Sequence, residues 1–81
     1  MIRNIKINLG GNPDNAKELV RIANTYKSDI DLNYGSQTYD CKSILAVMSL
    51  DLSKDLEISL ISDDVVEQRV FDSEMDKFAI R

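Results

Sequence analysis

Asp29-Ile30-Asp31-Leu32-Asn33-Tyr34 alternates polar and apolar residues without interruption. Successive side chains leave a strand on opposite sides, so this strand offers one face to a core and the other to water. The chain must therefore build a sheet covered on one side, and apolar residues elsewhere must supply the cover. That cover begins upstream. Gly10-Gly11 interrupts the chain, and Asn12-Pro13 reads as a helix start, with Asn as the cap, Pro at the first helical position and Asp14 near the positive end of the dipole. Ala16, Leu19, Val20, Ala23 and Tyr26 follow at helical spacing and define one buried stripe to about residue 26. Lys17, Glu18 and Arg21 fall off that stripe and are expected in solvent.

The remaining segments complete the pattern. Ile2, Ile5, Ile7 and Leu9 alternate from residue 5, which predicts a first strand over residues 2–8. Gly35-Ser36 has hairpin length, and Thr38, Tyr39 and Cys41 belong to a returning strand. Ser43 sits where a helix cap belongs, ahead of Ile44, Leu45, Val47, Met48 and Leu50. Ser53-Lys54-Asp55 turns into a last strand through Leu56, Ile58 and Leu60. Asp63-Asp64 then opens a closing helix carrying Val66, Val70, Phe71, Met75 and Phe78, with fraying expected at its end. The order strand, helix, strand, strand, helix, strand, helix predicts a two-layer α+β fold, an antiparallel sheet with helices on one face. One domain over residues 1–81 is expected.

Composition removes most chemistries. The chain has no histidine, so no Ser-His or Cys-His dyad, no His-ligated metal and no phosphohistidine can form in it. The acidic residues are scattered, with nothing matching a calcium loop; Glu57, Asp63 and Asp64 read as solvated charges. Neither a metal nor a cofactor is expected, and catalysis by this chain is not. A net charge of −4 argues against nucleic acid, whose phosphates need a basic face. There is no apolar run of membrane-spanning length and no signal segment, so a cytoplasmic monomer is expected. Cys41, the single cysteine, reads as a small buried hydrophobe.

The segment after Ser43 holds more apolar residues than one face of two helical turns can bury. Either the short helix is sunk in the core, or part of it is an exposed contact patch.

Two stretches, Asp29–Tyr34 and Lys42-Ser43-Ile44-Leu45-Ala46-Val47-Met48-Ser49-Leu50, give the chain a family likeness. The second is close to Lys-Ser-Ile-Met-Gly-Val-Met-Ser-Leu, and the sequence resembles HPr, the small phosphocarrier of the bacterial sugar phosphotransferase system (PTS). The resemblance runs over almost the whole length and implies an open-faced β-sandwich of order βαββαβα, with four antiparallel strands and three helices on one face. It also implies a first loop of the form Gly-(Leu/Ile)-His-x-Arg-Pro-Ala, whose His takes phosphate from enzyme I. Against that pattern stands Gly10-Gly11-Asn12-Pro13-Asp14-Asn15-Ala16, with Asn12 at the His position, Asp14 at the Arg position and Asn15 at the Pro position. Asn has no ring nitrogen to phosphorylate, and Asp14 repels a phosphoryl group where Arg would pair with it.

Ser43 keeps its place in the resemblance. It aligns with a serine that a dedicated kinase phosphorylates in Gram-positive members, after which the short-helix surface docks on a catabolite-control transcription factor. A catabolite-repression paralogue type has likewise lost the His and kept the serine. By resemblance Ile44 and Met48 lie on the docking patch, whereas Leu45 and Leu50 point inward. The expected function is a regulatory, protein-binding role through Asn12, Ile44, Val47 and Met48, with Ser43 as a phosphorylation gate. The partners in prospect are a serine kinase, a transcription factor or a PTS protein. A phosphocarrier acting in sugar transport is the alternative, and an unrelated binding module that keeps only the fold is the third reading.

Overall fold

A computed structural model describes residues 2–80. The elements run β1 (Ile2–Asn8), α1 (Pro13–Ala23), β2 (Asp29–Tyr34), β3 (Gln37–Asp40), α2 (Ile44–Met48), β4 (Asp55–Ile61) and α3 (Val65–Met75). The strands form one antiparallel sheet in the order β1-β4-β2-β3, with the three helices on one face. This is the βαββαβα α+β fold that the element order predicts.

Alternation decides which face is covered. Ile7, Leu56, Ile58, Leu60, Ile30 and Leu32 point toward the helices and are buried. They meet Ala16, Leu19, Val20, Ile22 and Ala23 from α1, Val47 from α2, and Phe71 and Met75 from α3. The opposite face carries the polar set, beginning with Asn4, Lys6 and Asn8 on β1. Hairpin β2–β3 closes on Gly35, which has φ of 59° while Ser36 stays at negative φ. Positive φ at the first central residue alone is the pattern of a type II′ turn, whose twist matches the strands it joins.

Three details differ from the sequence reading. Helix α1 stops at Ala23, short of Tyr26, because local side chains take over the last carbonyls. Asn24 Nδ2 donates to the Val20 carbonyl at 2.8 Å and Thr25 Oγ1 to the Ile22 carbonyl at 2.6 Å. Tyr26 is still buried, with its ring edge-on to Phe71 at 6.0 Å and its hydroxyl donating to Glu74 at 2.6 Å.

In α3, Phe71 and Met75 are buried as expected, but Val66 and Val70 are exposed. Residues 66 and 70 share a face one residue, or about 100°, away from the face of 71 and 75. The helix can lay only the second of these faces on the sheet.

Residues after α3 are bonded to β1 rather than left loose. A turn after α3 buries Phe78, Asn8 N donates to the Phe78 carbonyl and Ile80 N to the Lys6 carbonyl, both at 3.0 Å. Ala79 bridges Ile7, so residues 78–80 cover the outer edge of β1.

Candidate functional site

Helices α1 and α2 pack side by side and run in opposite directions. At one end, Gly11 N donates to the Leu52 carbonyl at 2.8 Å, joining the loop before α1 to the loop after α2. At the other, Asn24 Nδ2 donates to the Lys42 carbonyl at 3.1 Å and Lys42 Nζ to the Tyr26 carbonyl at 2.8 Å. Asn12 and Ser43 therefore lie at opposite ends of the pair, separated by roughly the 16 Å rise of an eleven-residue helix.

The Asn12 end is built from internal bonds. Gly10 and Gly11 both take left-handed φ, at 67° and 68°, which turns the chain sharply from β1 into α1. Asn12 Oδ1 accepts from Asp14 N at 2.9 Å, and Asn15 Nδ2 donates to the Leu9 carbonyl at 3.0 Å. Asn12 thus caps the helix as expected. Its amide cannot take a phosphoryl group as an imidazole can, and the chain contains no imidazole.

Ser43 is half-buried, with the extended backbone of a cap, φ −96° and ψ 112°, and its Oγ accepts from Ala46 N at 3.2 Å. Upstream, Asp40 closes a turn by accepting from Lys42 N at 2.9 Å through its carboxylate and from Ser43 N at 3.1 Å through its carbonyl. Between them lies Cys41, fully buried; its thiol is pushed up to about 12, first by burial and then by Asp40 and Asp31. A thiol held that high stays protonated and inert at neutral pH.

Past Ser43, α2 is only five residues long and has room for one inward side chain. That side chain is Val47, at 0% exposure, and not a patch residue as the sequence reading has it. Ile44 and Met48 are 40% and 39% exposed, and Leu45, expected to point inward, is 84% exposed. The helical period explains both corrections. Positions 44, 45 and 48 share a side, while 47 lies about a quarter-turn round and drops between α1 and the sheet. Leu50 is half-buried and packs on the core. The exposed apolar set is therefore Ile44, Leu45 and Met48. A helical wheel started at the Ser43 cap carries the signal for Leu45.

Among the described residues, no three His, Cys, Asp or Glu side chains gather as a metal site would require. No helix among them is long and apolar enough to cross a membrane.

Residues 4–77 match the family described as PTS HPr component, phosphorylation site. The chain belongs to the HPr family. HPr proteins are phosphocarriers that interact with PTS and regulatory proteins and are not themselves enzymes. Solved HPr structures superpose over nearly the full length. HPr-C-His from Thermoanaerobacter tengcongensis is 24% identical, with a TM-score of 0.67 over 95% of this chain and 89% of that one. The histidine-containing phosphocarrier protein of a Mycoplasma is 20% identical, with a TM-score of 0.65 over 100% and 99%. Crh, the catabolite repression containing protein of Bacillus subtilis, is 24% identical, with a TM-score of 0.62 over 95% and 90%. At such identities these likenesses establish the fold.

Proposed function

We propose that this HPr-family chain is a cytoplasmic regulatory protein that binds its partners through α2, with Ser43 as the switch. The observation that carries this reading is the exposure of Ile44, Leu45 and Met48 on a helix capped by that serine. Contiguous apolar side chains on a small protein favour contact with another protein. The reading takes the docking surface as Ile44, Leu45 and Met48, with Val47 as the inward peg that holds it in place and Asn12 at the far end of α1. With no histidine in the chain, phosphohistidine transfer has no acceptor here. The serine remains, and a phosphate on it would sit at the amide end of α2, where the helix dipole favours negative charge. That phosphate would add one to two negative charges to an acidic chain, so the matching partner surface is basic. The retained Lys42–Leu50 segment, close to the family's regulatory-serine signature, favours a transcription-factor partner.

The test is intact mass after two incubations, one with enzyme I and phosphoenolpyruvate, the other with an HPr serine kinase and ATP. A single phosphate in the kinase reaction alone, absent in Ser43→Ala, is the expected result. Phosphate accepted from enzyme I would overturn the reading and return the chain to phosphotransfer through a residue other than histidine. No phosphate in either reaction would remove the switch.

A further inference from the structure

The sheet face turned away from the helices has a chemistry of its own. Asp29, Asp31, Asp40, Asp55 and Glu57 lie on it, with Lys6 as its one cation among the described residues. Five carboxylates against one ammonium give a net −4, which equals the charge of the whole chain, so the remaining surface is balanced. Asp31 stands directly opposite Asp40 across β2 and β3. Like charges in that register oppose folding. The carboxylates of Asp29, Asp31 and Glu57 make no hydrogen bond or ion pair among the described residues.

The surface is also held rigid. Thr38 Oγ1 donates to Asn33 Oδ1 at 3.0 Å, Asn33 Nδ2 to Ser59 Oγ at 3.0 Å, and Ser59 Oγ to Asn4 Oδ1 at 2.7 Å. That chain of bonds crosses all four strands. Beside it, a shallow groove of about 260 Å³ is lined by Lys6, Asn33, Asp55, Leu56 and Glu57. In register, the carboxylates form a diagonal band from Asp29 to Asp55, spanning four side-chain rows or roughly 20 Å. At the Asp29 end of the band, Ile2 pairs with Ile61, and the two are 59% and 41% exposed.

We propose that this open face is a second docking surface, separate from α2, for an extended Lys- or Arg-bearing segment of a protein partner. Charge complementarity selects the occupant. A second copy of the same face is repelled, as is nucleic acid, whereas a basic segment replaces the repulsion between Asp31 and Asp40 with attraction. About six extended residues match the length of the band, and an apolar residue at one end meets Ile2 and Ile61.

The probe is a capped peptide of about ten residues alternating Lys and Ala and ending in Leu-Ile, titrated into the isotope-labelled full chain and followed by amide shifts. Shifts concentrated at Asn33, Glu57 and Ser59 are expected, with binding lost at about 0.3 M salt, where exposed charges are screened. Asp31→Asn should weaken binding roughly 1.5- to 5-fold, the worth of one exposed ion pair, while raising the unfolding midpoint. Ile61→Ser should weaken this peptide and leave unchanged one that lacks the apolar end. Shifts centred on α2 or scattered over the surface would overturn the proposal. So would an unchanged affinity in Asp31→Asn, or spermine binding as tightly as the peptide, which would mark simple cation condensation.

Discussion

The N-termini of α1 and α2 are built alike and differ in what they support. Each begins at an extended residue whose side-chain oxygen accepts from a first-turn amide, Asn12 from Asp14 N and Ser43 from Ala46 N. Helix α1 then runs eleven residues on a stripe of five buried side chains, so its cap is one contribution among many. Helix α2 has five residues and one buried side chain, so its cap and Val47 carry most of its stability. The lesson is that the same capping geometry can be a structural detail in one helix and the hinge of a surface in the other. A modification at Asn12 would meet a helix held elsewhere; one at Ser43 acts on the element that displays the patch.

The difference is sharpest at Val47. Val47→Ala removes the only inward anchor of α2 and is expected to cost about 2 kcal/mol in chemical denaturation, the burial of a Val side chain plus the cavity it leaves. A loss below about 0.5 kcal/mol would show that α2 is not held by that contact. The caps come next. Asn12→Ala and Ser43→Ala should each cost about 1 kcal/mol. Hydrogen exchange separates them: amides of α1 beyond its first turn should stay protected in Asn12→Ala, while every amide of α2 should exchange faster in Ser43→Ala. Equal, local effects would erase the contrast. Leu45→Asp should have the smallest effect on folding, within about 0.5 kcal/mol at a site 84% exposed, yet remove partner binding through α2. Retained binding would move the docking surface off this helix.

The fold was legible because its signals are local and agree with one another. Alternation in Asp29–Tyr34, the Gly10-Gly11-Asn12-Pro13 start and the stripe Ala16, Leu19, Val20, Ala23 and Tyr26 each point to one element, and all five stripe residues are buried. Errors gathered where a short or ambiguous pattern left two faces open. In α3 the pairs 66/70 and 71/75 are both apolar, and only the contact with the sheet chooses between them. In α2 the family likeness places Leu45 inward and the expected patch includes Val47, and the helical period reverses both. The open-face band was not legible, because its five carboxylates come from three strands that meet only in the folded sheet.

The strap formed by residues 78–80 along β1 has a consequence for how the molecule is made. Strand β1 pairs with β4, some fifty residues away in sequence, and its other edge is covered by the strap, some seventy residues away. The β2–β3 hairpin and α1 can form from neighbours, whereas β1 stays unpaired until those distant segments arrive. Both sides of β1 are thus closed by contacts distant in sequence, which makes this strand the slow part of the sheet to form.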